Sequence, residues 1–283
     1  MLLRQILAAA DDSDEGRGAI MAAARLGQRS GATVTVLTVA HLSRADGVVA
    51  QLLDRLHETV EGQLKSLDPP RPTVDLAVEL GLPGVEIGRF AETNGADLIV
   101  LGRKRRTSIQ RLLIGDTADA VARRSRTPCL FVHAGDHRFG RLLVALDGTE
   151  RGLSVLPVAM DFARDAHARL RAITVEPAYD NERDAPWLPT GRSERLAEAI
   201  DSLRNRSGTN PETWDTVLGG EGEALVVHRG RVVEEILSEV HSSGTDALVL
   251  GCHRGGPAGM IEAGSITRRL MHDCPCSVLT VPL

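Results

Sequence analysis

Asp246-Ala-Leu-Val-Leu-Gly251-Cys-His-Arg-Gly-Gly-Pro-Ala-Gly-Met-Ile-Glu-Ala-Gly264-Ser265-Ile-Thr267 reads as a short buried strand, a glycine-rich loop and a helix opened by a Gly-Ser pair. A strand that feeds a loop ending at a helix N-terminus is a geometry for holding anions. Free backbone N–H groups and the positive end of the helix dipole converge there. A second copy lies upstream: Asp97-Leu-Ile-Val-Leu-Gly102-Arg-Lys-Arg-Arg-Thr-Ser-Ile-Gln-Arg-Leu-Leu-Ile-Gly115-Asp116-Thr117. In both copies the framing glycines stand thirteen positions apart, yet the residues that decide whether a phosphate is held differ.

The copies extend outward from these stretches. Leu7-Ala-Ala-Ala-Asp11-Asp-Ser-Asp aligns with Leu143-Val-Ala-Leu-Asp147-Gly-Thr-Glu, and Ala32–Val39 aligns with Ala168–Val175. Thr127-Pro-Cys-Leu-Phe-Val132 pairs with Cys274-Pro-Cys-Ser-Val-Leu279. Five landmarks recur in one order, so the chain is a duplication. Two domains are expected, residues 1–136 and 140–283, with polar Gly135–Gly140 as a short linker. From the aligned Asp to the first motif glycine the second copy is longer, 104 residues against 91. The surplus falls in 176–222, around an expected helix at Ser193–Leu203. It reads as a lid, a partner surface or a plain surface insertion.

Within the first copy, strands are expected at Ile6–Ala10, Thr33–Val39, Val74–Leu80, Leu98–Leu101 and Leu130–His133. Helices are expected at Glu15–Ser30, Ala45–Leu67, Pro83–Asn94 and Thr117–Arg126, with Gly31 as a C-cap. Strands alternating with helices imply parallel pairing with right-handed crossovers.

Composition agrees. The 283 residues are 42% hydrophobic and 25% charged but only 2% aromatic, so the cores are built from Val, Leu, Ile and Ala, as buried parallel sheets are. Residues 1–139 carry 18 Lys+Arg against 17 Asp+Glu, and residues 140–283 carry 15 against 21. Neither half has the basic excess of a nucleic-acid binder. Cys129, Cys252, Cys274 and Cys276 are too few for a disulfide framework and lack paired metal-ligand spacing, so reduced, partly buried thiols are expected. The N-terminal apolar run is interrupted by Arg4-Gln5 and stops at Asp11-Asp12, unlike a leader, and no run reaches transmembrane length. A soluble, cytoplasmic protein is expected.

With the repeat in place, the chain resembles a tandem universal stress protein. The resemblance rests on the strand-end Asp11 and Asp147, the Asp-Leu-Ile-Val-Leu-Gly strand, the imperfectly kept G-x2-G-x9-G-[S/T] loop and the Pro-Cys strand. It implies two tandem doubly wound, Rossmann-like α/β domains, each a five-stranded parallel sheet with helices on both faces. It also implies that the two sheets pair edge to edge through Leu130–His133 and Ser277–Val281. Some members of the family bind ATP; others lack the glycine motif and do not.

Carried over residue by residue, the family's ATP pattern places Asp147 against ribose and Val175 near adenine. Gly251, Gly264, Ser265 and Thr267 match its phosphate loop, with Ala145, Leu250, Gly255 and Ile266 beside them. Arg254 stands where the family has the middle glycine; it forces the loop to be rebuilt or contacts phosphate itself. The first copy offers only Asp11, Val39, Gly102 and Gly115 as weaker equivalents. There Arg105 replaces the middle glycine, and Asp116 replaces the Ser or Thr after the last one. Both Ser265 and Asp116 suit a helix N-cap, but a carboxylate at Asp116 would repel phosphate by on the order of 1 kcal/mol or more. The run Arg103-Lys-Arg-Arg106 reads as a solvated loop or as a site for another anion. Asp11 and Asp147 also have an ordinary reading, as turn residues leading into a helix.

Two functions remain open at this point: a regulatory protein that binds ATP through its C-terminal domain, and a stress scaffold whose loops are degenerate in both copies. An ATP pyrophosphatase would need Ser-Gly-Gly-x-Asp-Ser after the first strand, which neither copy has. No G-x4-G-K-[S/T] loop, dinucleotide fingerprint or catalytic triad spacing is present, so no catalytic residue and no metal are expected. At most slow ATP hydrolysis and a possible homodimer follow.

Overall fold

The computed structural model describes residues 3–40, 48–104, 116–135, 138–177, 192–206, 224–252 and 265–283. The first half runs β1 (Gln5–Ala9), α1 (Asp14–Ser30), β2 (Thr33–Ala40), α2 (Val48–Leu64), β3 (Val74–Leu80), α3 (Pro83–Thr93), β4 (Leu98–Arg103), α4 (Asp116–Arg124) and β5 (Cys129–His133). The second runs β6 (Arg141–Ala145), α5 (Glu150–Leu153), α6 (Val155–Asp165), β7 (Arg169–Pro177), α7 (Arg192–Arg206) and β8 (Leu225–Gly230). It ends with α8 (Val232–Ser242), β9 (Ala247–Cys252), α9 (Ser265–Asp273) and β10 (Ser277–Pro282).

Local chemistry sets the element ends. Ser13 caps α1 by accepting from the Gly16 N–H, and Gly31 ends it in the left-handed region at φ 75°. Pro83 opens α3, where a missing N–H is harmless. The helix after β6 is split at Ser154. Pro157 cannot donate to the Leu153 carbonyl, so the short α5 stops there.

All ten strands form one sheet in the order β3-β2-β1-β4-β5-β10-β9-β6-β7-β8. Every pairing within a half is parallel. Where the halves meet, β10 runs antiparallel to β5, with Val278 opposite Phe131 and Leu279 opposite Leu130. Alternate strand residues feed opposite faces. Ile6, Ala8, Leu98 and Val100 join α1, α2, α6 and α7 on one side. Leu7, Ile99 and Leu101 join α3, α4, α8 and α9 on the other. The near-continuous apolar runs of the sequence are thus explained by strands covered on both faces.

Each apolar cluster draws on both halves. Polar contacts also cross. Leu3 N donates to the buried Asp165 Oδ2 at 2.8 Å, and Arg29 Nη1 donates to the Ala166 carbonyl at 2.7 Å, just past the end of α6. A cation beside the last carbonyls of a helix is the favourable orientation for its dipole.

Two expectations need adjusting. β4 and β9 extend to Arg103 and Cys252, so Gly102 and Gly251 lie within strands and do not start the loops. Asp116 and Ser265, the first described residues of α4 and α9, are themselves helical and so do not stand at the cap.

Candidate functional site at the carboxyl ends of the strands

The same polar turn follows the first strand of each half. Asp11 Oδ1 accepts from Ser13 N at 3.2 Å and from the Ser13 hydroxyl, while Ser13 Oγ accepts from Gly16 N at 3.0 Å. In the second half Asp147 Oδ1 accepts from Thr149 N at 2.9 Å and Thr149 Oγ1 at 2.7 Å, and Thr149 Oγ1 accepts from Gly152 N at 3.0 Å. Each carboxylate is therefore held by the residue that caps the following helix.

Gly16 and Gly152 complete the turn. A Cβ at Gly16 would sit 2.2 Å from the Asp11 carbonyl oxygen, and one at Gly152 would sit 2.0 Å from Asp147 Oδ1. The signal D-x-[S/T]-x2-G is present in both copies of the sequence. The aligned stretch reaches Ser13 and Thr149 but ends at Asp14 and Glu150, short of Gly16 and Gly152, so the full signal is not visible in it.

The motif glycines of the fourth strands also have structural tasks. A Cβ at Gly102 would lie 2.3 Å from the Glu15 carbonyl oxygen, against the start of α1. At Gly251 it would meet Leu283 Cδ1 at 2.8 Å and Val155 Cγ2 at 3.0 Å. Both allow a strand end and a neighbouring element to approach closely.

In the first half these residues border a cavity of about 330 Å3. Its lining includes Asp11, Val39, Gly102, Arg103 and Lys104, with Met271 and His272 contributed by α9 of the other half. Three of the four weaker N-terminal candidates (Asp11, Val39, Gly102) therefore share one cavity. Gly115, the fourth, lies outside the described residues. His272 Nδ1 contacts Asp273 Oδ1 at 2.7 Å, and its Nε2 is buried without a hydrogen-bond partner among the described residues.

In the second half Ala145 pairs with Leu250 across β6 and β9, so Asp147 follows the end of β6 beside the strand that holds Gly251. Leu250 and Val175 are buried on the face that packs α8 and α9. Thr267 Oγ1 donates to the Gly251 carbonyl at 3.3 Å and ties the first turn of α9 to the end of β9. Ile266 is 44% exposed. Arg254, Gly255, Gly264 and the Ser265 side chain lie outside the described residues, as do 178–191 and 207–223 of the enlarged segment.

Arg103 is where the sequence reading of a solvated basic run fails. It ends β4, is half-buried, and reaches across the join. Its Nη2 donates to the Cys274 and Cys276 carbonyls at 2.9 and 2.8 Å, and its Nη1 donates to the Met271 carbonyl. The same Nη2 lies 2.7 Å from His133 Nε2, while His133 Nδ1 is 3.0 Å from the Arg103 carbonyl. A neutral imidazole with its proton on Nδ1 satisfies both contacts. Local spacing gave no signal for this, because the partners lie about 170 residues away in the chain.

The landmark Asp97 and Asp246 also acquire a task. Asp97 Oδ2 accepts from Arg4 N and Gln5 N at 2.8 and 3.0 Å; Asp246 Oδ2 accepts from Gly140 N and Arg141 N at 3.0 and 2.9 Å. Each pins the start of the neighbouring strand. Among the described residues no three His, Cys, Asp or Glu side chains gather as a metal site, and no helix is long and apolar enough to cross a membrane.

A doubly wound sheet with its polar turns gathered at the carboxyl strand ends is a nucleotide-type α/β fold. The Universal stress protein family pattern matches residues 3–133 and again 138–282, and the chain belongs to that family. Over 194 residues it is 27% identical to Universal stress protein Rv2005c of Mycobacterium tuberculosis, covering 66% of this chain and 62% of that protein. The match thus spans less than two thirds of that relative's length. A universal stress protein from Archaeoglobus fulgidus overlays on 100% of this chain and 99% of its own at a TM-score of 0.71 and 17% identity, a likeness of fold. A half-chain overlay, 47% of this chain and 99% of the other at a TM-score of 0.39 and 23% identity, is to a universal stress protein solved in complex with cAMP.

Proposed function

We propose that this universal stress protein binds an adenine nucleotide, ATP foremost, through its C-terminal half and acts by regulation, not by catalysis. The observation that carries the reading is the Thr267 hydroxyl bonded to the Gly251 carbonyl at 3.3 Å. It sets the N-terminal turn of α9 at the end of β9, beside the strand end that carries Asp147. Backbone N–H groups of that turn and the loop Arg254–Gly264 supply the phosphate cradle, and Asp147 takes the ribose. Ala145, Val175 and Leu250 form the adenine side, with Gly255, Ser265 and Ile266 along the loop and first turn.

The N-terminal half has the corresponding cavity, but α4 opens with Asp116 where α9 opens with Ser265. A negative side chain at that end of the helix disfavours phosphate, so residues 1–136 serve as the degenerate partner of 140–283. ATP biases the conformation of the C-terminal loop, and any turnover is slow. The protein acts in the cytoplasm, with the two halves as an intramolecular pair that can also homodimerise.

A second reading is favoured by the glycine geometry. Gly102 and Gly251 are both accounted for by close packing, without a ligand. On that reading the protein is a stress scaffold that binds no nucleotide. Titration calorimetry with ATP separates the two: heat on the wild type that is lost on Gly264→Asp supports the nucleotide reading. No heat on either chain supports the scaffold, and heat unchanged by the substitution removes ATP from the Gly264 loop.

A further inference from the structure

Cys274-Pro-Cys276 is a bend between α9 and β10, and nothing in the nucleotide reading uses it. Its two sulfurs lie 3.4 Å apart, and neither is joined in a disulfide. A disulfide would need them to close by roughly 1.4 Å, within reach of side-chain rotation on a bend that already presents them to each other. Cys274 is the more enclosed, at 3% exposure against 8% for Cys276. Cys276 opens on a surface pocket of about 450 Å3 that it shares with Pro275, Arg138, His241, Thr245 and Asp246. The pair thus lies beside a reagent-sized recess that Cys276 lines, with the two sulfurs in contact.

We propose that Cys276 and Cys274 form a dithiol site that is oxidised to an intramolecular disulfide by low-molecular-weight disulfides bearing carboxylates. The Cys276 thiolate attacks one sulfur of R–S–S–R; the S–S bond breaks, and RS⁻ leaves and takes a proton from water. The R group of the mixed disulfide occupies the pocket, where the Arg138 guanidinium suits its carboxylate. Cys274 then gives up its proton to solvent and attacks the Cys276 sulfur, expelling the second RS⁻, which is protonated in turn. Two protein thiols are oxidised and one small disulfide is reduced to two thiols.

The join between the halves registers the change. Arg103 donates to the carbonyls of both cysteines, so closing the bend re-aims the groups that tie β4 to α9. The hydrogen bond with Cys274 and, after it, burial hold the Cys276 thiol well above the usual thiol range, with Arg103 pulling the other way. Attack is accordingly slow at neutral pH and speeds up about tenfold per pH unit between pH 7 and 9. None of this depends on whether nucleotide binds.

The test is to incubate the reduced full-length chain with oxidised glutathione, quench with acid, count free thiols and map the peptides. Two of the four thiols are expected to disappear into a Cys274–Cys276 link, with Cys129 and Cys252 unchanged. Cys274→Ser is expected to stop at glutathione carried on Cys276, and Cys276→Ser to lose no thiol. A native chain that keeps all four thiols, while the same chain unfolded in urea oxidises, overturns the proposal. So does a link that recruits Cys129, Cys252 or a second molecule. The wild-type map alone decides the matter if either variant fails to fold.

Discussion

Arg103 ties the halves together with a single side chain that hydrogen-bonds to three carbonyls of the other half. Arg103→Ala leaves those carbonyls near the end of α9 without their donor, and a loss of about 2–4 kcal/mol is expected from urea unfolding. A change under 0.5 kcal/mol would mean that the contact is worth no more than an exposed pair. Gly16 and Gly152 occupy equivalent positions but predict different outcomes. A methyl at Gly16 meets the Asp11 backbone oxygen, which cannot step aside, so Gly16→Ala is expected to destabilise by roughly 2 kcal/mol or more. At Gly152 it meets side chains, the Asp147 carboxylate foremost and the Thr149 hydroxyl at 3.2 Å, so Gly152→Ala is expected to weaken ATP binding more than stability. Equal losses of stability in the two variants, with ATP affinity untouched in Gly152→Ala, would refute the assignment of Asp147 to the ribose.

At the scale of elements, the buried thiols set a pH dependence. Burial pushes the Cys129 and Cys252 thiols up to about 12 from 9.0. Their folded values lie above the unfolded one, so the stability they confer is complete below pH 9 and is lost as pH climbs from there toward 12. Each thiol contributes at most ~1.4 kcal/mol per pH unit in that window. Besides these two, the groups in that window are Cys274 and Cys276, one tyrosine and the two lysines, Lys65 and Lys104, so the double variant is expected to remove only part of the slope. Urea midpoints are expected to fall between pH 9 and 10.5 and to fall less in Cys129→Ala/Cys252→Ala. A wild-type midpoint that holds steady across that window contradicts the assignment.

Most elements were legible because apolar periodicity is local. Val74–Leu80 was read to the residue, and Leu98–Leu101 was read two residues short of Arg103. That shortfall has a physical cause. Gly102 and Arg103 are poor strand formers by propensity, and their place in β4 is set by pairing with Val132 and His133. The α5–α6 break depended on Pro157, and the capping turns were completed by Gly16 and Gly152, five past the Asp and beyond the aligned landmarks.

Over the whole molecule, the duplication was written in the sequence, but the differences between its halves were legible only where they changed a motif residue. Asp116 against Ser265 was visible. The asymmetry at the join was not, because Arg103 and His133 occupy positions held by Cys252 and Pro282 in the second half, and that exchange matters only once the strands pair. α9 also spans the two halves: Thr267 near its start is tied to Gly251, and its last turn supplies Met271 and His272 to the N-terminal cavity. The most direct measurement is a crystal structure of the full chain grown with excess ATP. Nucleotide density against Asp147 and the α9 N-terminus, with the N-terminal cavity free of nucleotide, is the predicted result. Density in the N-terminal cavity, with the C-terminal strand ends bare, would contradict the account.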